Sequence, residues 1–264
     1  MAVSVGGVIG GASAQTVDPA VRAYREALSD KDGNPGVLIV EQGAALFKKP
    51  DGPKNVSLEK CDFGLGPGVL KGAYAQMPRY MSDTGRVEDL ETRLLHCMVT
   101  LQGKDPQMIK DQRFANETKH ERNTDWEKIV AYIAAQSDGM KLSMPTSHPL
   151  ERQAIAVGER IFFTNIGPLD FSCATCHAED GKRIRLQSLA NLTDPKQAQN
   201  VMGAWPTYRV SHSAVRTMQH RMWDCMWQMR LPDVDLGSPA TVALIAYMTK
   251  KADGATLDLP GMRR

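Results

Sequence analysis

The segment Cys173-Ala174-Thr175-Cys176-His177 has the C-x-x-C-H spacing that attaches a c-type haem to a protein. The two thiols suit addition to the two vinyl groups of the porphyrin, and the following histidine can bind the iron from one face. A zinc half-site would need a second pair of ligands, and a redox dithiol would need a βαβ context; the flanking sequence indicates neither. We therefore predict one covalently bound haem c, held by Cys173, Cys176 and His177.

This segment lies in the second of two sequence repeats. A shift of 115 positions brings four short matches into register: residues 43–47 on 158–162, Cys61 on Cys176, residues 131–132 on 246–247, and residues 138–139 on 253–254. Several matches in the same order indicate a duplicated unit. Each copy has the plan of a small cytochrome c, and helical stripes at 126–136 and 241–250 predict its last helix. We expect the two tyrosines in those stripes, Tyr132 and Tyr247, to pack in the core.

These repeats predict a mainly α fold with two tandem cytochrome c-like domains. The first would span residues 15–140 and the second residues 150–264, which carries the haem. The stretch between them, 140–149, contains two prolines and no clear period, which is typical of a linker.

The first copy lacks the residues that attach haem. Where the second copy has Cys173, Cys176 and His177, the first has Leu58, Cys61 and Asp62. We therefore predict a first domain without haem. The thiol that remains in this copy, Cys61, would form a disulfide with Cys97. In the chain-entropy model, a disulfide that closes a loop of this length would contribute about 4 kcal/mol to the free energy of unfolding.

Charge and the N-terminus bear on the partners and the compartment. The formal net charge is +2 and the basic residues are dispersed, which gives little support for nucleic-acid binding. No apolar run approaches the ~20 residues of a membrane span. Residues 1–14 carry no charge and end in Ala12-Ser13-Ala14, the pattern of a signal-peptide cleavage site. We predict a remnant of a cleaved signal peptide at 1–14 and secretion to the periplasm, where haem c is attached and disulfides form.

The second axial ligand of the iron decides what the haem does. Methionine is the ligand of ordinary electron-transfer cytochromes and raises their potential. The sequence offers five methionines, two histidines and the one cysteine left over: Met202, Met218, Met222, Met226, Met229, His212, His220 and Cys225. The residues alone leave methionine and cysteine open, with Cys225 slightly favoured because an odd thiol needs an explanation.

Three motifs together resemble the SoxA family of bacterial sulfur-oxidising cytochromes. They are the C-x-x-C-H segment and two elements that share R-x-x-x-C, at residues 90–98 (LETRLLHCM) and 221–226 (RMWDCM). The resemblance extends from about residue 21 to the C-terminus. Many members carry a haem in both domains, so this chain resembles the single-haem branch.

The resemblance implies an L-cysteine S-thiosulfotransferase, which couples the sulfane end of thiosulfate oxidatively to a cysteine of the SoxYZ carrier protein. It implies that His177 is the proximal ligand, that Cys225 is the distal iron ligand and sulfur acceptor, and that Arg221 is the active-site arginine. A planar guanidinium suits a dianion such as thiosulfate. It also implies a SoxX-type cytochrome c subunit as partner in a heterodimer that takes up the electrons. The alternative is an electron-transfer cytochrome c with a Met-ligated haem and no transferase activity.

Overall fold

The computed structural model describes residues 33–114, 122–184, 187–231 and 234–263, together with the single positions 19, 23 and 26. The signal-peptide remnant predicted at 1–14 lies outside the described residues. Within the described part of the chain, no helix is both long and apolar enough to cross a bilayer.

The first half of the described chain contains four helices and a two-stranded hairpin. In chain order these elements are α1 (Gly36–Lys48), β1 (Arg79–Met81), β2 (Arg86–Glu88), α2 (Leu90–Thr100), α3 (Pro106–Gln112) and α4 (Asp125–Ala135). Short 3₁₀ turns at Leu58–Lys60 and Tyr74–Gln76 lie between α1 and β1. The β1 and β2 strands pair antiparallel.

The second half contains five helices and five short strands. They are α5 (Pro149–Phe163), α6 (Cys173–His177), β3 (Arg183–Ile184), β4 (Gln187–Ser188), α7 (Pro195–Met202), β5 (Thr207–Arg209), β6 (Ala214–Arg216), α8 (Met218–Gln228), α9 (Pro239–Lys251) and β7 (Gly261–Arg263). A 3₁₀ turn at Val210–His212 joins β5 to β6. β5 is the central strand of a sheet, antiparallel to β6 and parallel to β7. The predicted mainly α fold is confirmed, because the strands of the described residues span only two or three residues each.

The first and last helices of each half cross in the same way. A Cβ atom at Gly43 would lie 2.0 Å from the carbonyl oxygen of Lys128, and one at Gly158 would lie 1.9 Å from that of Ala243. Glycine is required at both positions, because a side chain would overlap the facing backbone. The four residues are related by the same shift of 115 positions that aligns the two sequence repeats.

At each of these helix crossings, two aromatic rings pack against each other. The ring of Phe47 lies 5.4 Å from that of Tyr132, and the ring of Phe162 lies 5.1 Å from that of Tyr247. Tyr247 is buried and Tyr132 is half-buried. The prediction that both tyrosines pack in the core is confirmed.

Side chains fill the first half where the second half has its haem-binding segment. Leu58, at the position of Cys173, is fully buried, and so is Phe63 nearby. The carboxylate of Asp62, at the position of His177, accepts hydrogen bonds from the backbone amides of Gly64 and Gly66 at 2.6 and 2.9 Å. Asp62 therefore shapes a turn.

The disulfide predicted between Cys61 and Cys97 is present. Its Cα atoms are 5.7 Å apart and both residues are buried in the first half's core. The bond ties the segment after α1 to α2, the helix that carries Glu91 and Arg93.

Residues 140–149 have the composition of a linker, but hydrogen bonds to a distant part of the chain hold their first part in place. The backbone of Leu142 exchanges hydrogen bonds of 2.8 Å with Ala255 and Gly254, near the C-terminal end. The Leu142 and Met144 side chains are buried. An extended segment without helical or strand period can still be fixed when it pairs with a distant part of the chain, and here it joins the two halves.

Candidate functional site

The haem-binding segment forms α6, a helix of five residues. Ser172 caps it, with its hydroxyl accepting from the Thr175 amide and the Thr175 hydroxyl accepting from the Ser172 amide. This capping box fixes one helical turn directly at the motif. The turn carries Cys173 and Cys176, which are half-buried free thiols.

The ring of His177 is oriented by the backbone. Its Nδ1 lies 2.9 Å from the carbonyl oxygen of Ala190, so Nδ1 donates a proton and leaves Nε2 free to bind a metal. Burial lowers the pKa of His177, and the nearby Arg221 contributes to this lowering. Both effects favour the neutral imidazole, which is the form that ligates iron.

The three predicted haem-binding residues line one large cavity. Its volume is about 1330 Å³, above the ~300–1,000 Å³ of ordinary small-molecule pockets. Apolar residues from several helices form much of its wall, among them Phe162, Leu244 and Met248. Two thiols, a histidine with a free Nε2 and an apolar chamber of this size fit a covalently attached haem c.

Helix α8 brings Cys225 and Arg221 to the same cavity. They are four residues apart and therefore lie on one face, a turn from each other. Burial raises the pKa of the Cys225 thiol, and the Arg221 guanidinium opposes that shift. Among the residues that the structure describes, the carboxylate oxygen nearest to Arg221 belongs to Asp224 and is 3.9 Å away. The guanidinium is thus loosely paired and can bind an anion beside the thiol.

The alternative axial ligands line the same cavity. All five candidate methionines and both candidate histidines contribute to its wall. His220 is already engaged, because its Nδ1 lies 2.7 Å from Glu127 Oε1 and its ring stands 4.7 Å from Phe114. His220 is therefore a buried structural residue.

The first R-x-x-x-C element has a different environment from the second. The guanidinium of Arg93 is buried and lies within 3.5 Å of the carboxylates of both Asp83 and Glu88. The partner of Arg93 in its motif, Cys97, is in the disulfide. Identical spacing therefore produces a neutralised structural arginine in one half and a loosely paired arginine facing a cavity in the other.

Two carboxylates of the first half hold the N-terminal end of α8. Glu91 accepts from the backbone amide of Gln219 at 3.0 Å and from the indole of Trp126 at 3.0 Å. Glu127 is fully buried between His220 and the guanidinium of Arg216, at 2.7 and 3.2 Å. Sequence reasoning missed both residues. In the sequence they are ordinary polar positions of the second and fourth helices, α2 and α4, and only the tertiary fold brings them to α8.

Comparisons with known proteins agree with this architecture. Residues 42–142 match the family model for the SoxA/TsdA cytochrome c domain. The chain resembles the crystal structure of SoxXA from P. pantotrophus with a TM-score of 0.72 and 25% identity, covering 92% of this chain and 84% of that chain. A cytochrome c domain and this structural likeness imply haem c as the cofactor.

Two full-length relatives establish the family. Over 245 residues the chain is 48% identical to the L-cysteine S-thiosulfotransferase subunit SoxA of Hydrogenophilus thermoluteolus, covering 93% of this chain and 88% of that protein. It is 37% identical over 265 residues to the protein of the same name from Hydrogenobacter thermophilus, covering 99% and 95%. The chain therefore belongs to the family of SoxA, the L-cysteine S-thiosulfotransferase subunit.

Proposed function

We propose that this chain couples thiosulfate to a cysteine of a carrier protein of the SoxYZ type. A sulfur–sulfur bond forms between the sulfane sulfur of thiosulfate and the carrier thiol, the thiol proton is released, and two electrons leave. The observation that carries the proposal is the placement of Cys225 and Arg221 in the cavity that the C-x-x-C-H residues line.

One haem per chain is proposed; Cys173 and Cys176 would hold it covalently, and His177 would bind its iron. When bound, the haem supplies an acceptor for the electrons that the coupling releases. The first half has Leu58 and Asp62 where a second haem would need a cysteine and a histidine, which supports a count of one.

The chain's own residues have separate roles in this proposal. Cys225 would bind the haem iron and accept the sulfane sulfur; metal ligation would keep this buried thiol deprotonated despite its raised pKa. Arg221 binds the thiosulfate dianion beside that sulfur, because its guanidinium offers paired donors and, within the described parts of the chain, has one carboxylate nearby, at 3.9 Å.

The domain organisation and partners follow from the same proposal. Residues 15–140 form the haem-less cytochrome c-like domain and residues 150–264 the haem-binding one. The likeness to SoxXA implies a SoxX-type subunit as partner. We propose that this subunit forms a heterodimer with the chain and takes up its electrons. The complex would act in the periplasm, after export through a cleaved signal peptide.

An electron relay with methionine ligation is the second candidate, because five methionines line the same cavity as Cys225. The two candidates differ in spectroscopy. A methionine ligand gives a weak far-red absorption band in oxidised haem, whereas a thiolate ligand on low-spin iron gives a distinct EPR signal. The transferase proposal expects the thiolate signal in the wild-type complex.

The decisive variant is Cys225→Met in the complex with the partner cytochrome. Haem attachment should be unchanged, with one haem per chain by pyridine haemochrome assay, because Cys173, Cys176 and His177 are untouched. The potential should rise, since a thioether donates less charge than a thiolate. Thiosulfate coupling should be lost, because methionine has no transferable sulfur. An unchanged EPR signal with full coupling would overturn the proposal in favour of the relay.

A further inference from the structure

Arg209, at the end of β5, is a buried cation that forms no ion pair with any residue that the structure describes. Its residue exposure is 7%. Its Nη2 donates a hydrogen bond to the side-chain oxygen of Gln187 at 3.1 Å, while its buried Nε has no hydrogen-bond partner among the described residues. Among the described residues, no carboxylate oxygen lies within 4 Å of this guanidinium. Burying an unpaired charge is strongly unfavourable, so a position of this kind indicates a missing anion.

Two other buried arginines of the chain show what a satisfied guanidinium looks like here. Arg93 has the carboxylates of Asp83 and Glu88 beside it. Arg113 also has no carboxylate oxygen within 4 Å among the described residues, but its Nη1 donates to the backbone oxygen of Leu236 at 3.0 Å and to the side-chain oxygen of Gln219 at 3.4 Å. Both lie outside the wall of the haem cavity, whereas Arg209 is part of that wall.

Arg209 shares its surroundings with the proposed catalytic residues. Burial and the neighbouring Arg221 lower the pKa of Arg209 to about 10, and Asp224 and Cys225 act in the opposite direction. The two guanidinium groups thus repel each other within the wall of the cavity that Cys225 also lines. An anion between them would relieve this repulsion and supply the acceptor that the Nε of Arg209 lacks.

We propose that Arg209 and Arg221 together bind the sulfonate end of thiosulfate and so aim its sulfane sulfur at Cys225. This inference rests on the proposed function and adds a second binding residue to it. Two cationic forks match the two charges of the anion, and their rigid, planar donors suit three equivalent oxygens. A single guanidinium would leave one of the two charges uncompensated inside a largely apolar cavity.

A haem propionate is the other oxyanion that could reach Arg209, and the experiment separates the two sources. The test uses the haem-loaded complex with Arg209→Gln, Arg209→Lys and the control Arg86→Gln. Arg86 is exposed on β2, so its substitution removes the same charge far from the cavity. Haem content is checked first, and the lysine variant keeps a charge in case the glutamine variant folds poorly.

For thiosulfate, Arg209→Gln should raise KM roughly 10- to 100-fold, the size of one lost hydrogen bond to a charged group, with a smaller change in kcat. Arg209→Lys should recover part of that loss, and Arg86→Gln should match the wild type. Titration with thiosulfate in the absence of carrier, followed by the EPR signal of the haem, should show the same loss of affinity.

Two outcomes would overturn the assignment. If thiosulfate affinity is unchanged in Arg209→Gln while the haem potential and its pH dependence shift, Arg209 pairs with a propionate. If neither changes, Arg209 binds no anion at all. A wild-type complex that binds thiosulfate but transfers nothing to the carrier would refute the proposed function alone, because the titration without carrier still tests Arg209.

Discussion

Removing the Cys61–Cys97 disulfide should destabilise the chain without disturbing its haem. The proposed change is Cys61→Ala with Cys97→Ala, at two buried positions where alanine leaves little empty volume. The two residues are 36 apart in sequence. In the chain-entropy model, closing a loop of that length lowers the entropy of the unfolded chain enough to contribute about 4 kcal/mol at 25 °C.

That free energy can be converted into a melting temperature. A chain of 264 residues has an unfolding entropy of roughly 0.55 kcal/mol/K at its midpoint, so a loss of ~4 kcal/mol corresponds to about 7 °C. Calorimetry of the haem-loaded variant should show this decrease, while the haem content stays that of the wild type. The control is Thr100→Ala, at the exposed end of α2, the helix that carries Cys97. It should change the free energy of unfolding by no more than about 0.5 kcal/mol.

A decrease below about 2 °C would refute this account, because it would mean that the unfolded chain is already restricted around the loop. Loss of haem from the variant would refute the second part of the prediction, that the haem is undisturbed. It would show that the bond supports the second half's attachment site as well as the first half's core.

Two further predictions concern the carboxylates beside α8. Replacing Glu127 by Gln should lower the free energy of unfolding by about 3 kcal/mol, because Arg216 and His220 lose the buried charge between them; urea unfolding measures this, and a change under ~0.5 kcal/mol would contradict it. Burial and the neighbouring Asp89 raise the pKa of Glu91 from 4.5 to about 7. Between those values the folded chain keeps a proton that the unfolded chain releases, so this group's stabilisation is full below pH 4.5 and falls as the pH rises to 7. Glu91→Gln should flatten that part of the profile of stability against pH, and an unchanged slope would refute the assignment.

The features that the sequence predicted best are those that local chemistry or the repeat determines. The C-x-x-C-H spacing determines which residues can attach haem. Gly43 and Gly158 occur at equivalent places because two helix backbones touch there in each half. Counting indicates one pair among the three cysteines outside the haem motif, and the lost haem site of the first copy identifies that pair as Cys61 and Cys97.

Other features arise only from contacts between distant parts of the chain. Arg209 is buried because β5 is the central strand of its sheet, and one neighbour, β7, comes from residues 261–263 near the C-terminus. Nothing within the local sequence around Arg209 indicates that pairing. Leu142 is fixed in the same way, by hydrogen bonds to residues 254 and 255, which is why a linker was expected there.

The first half has buried side chains and a disulfide where a second haem site would lie, and it supports α8, the helix that carries the proposed catalytic residues. The first turn of a helix has backbone amides without a partner inside the helix. In α8, the carboxylate of Glu91 accepts a hydrogen bond from one of these amides, that of Gln219, two residues before Arg221. Above its raised pKa of about 7, the negative charge of Glu91 also matches the helix dipole. A small error in the position of α8 would move Arg221 and Cys225 together relative to His177. The geometry of the proposed site therefore depends on a half of the protein that has none of the predicted haem-binding residues.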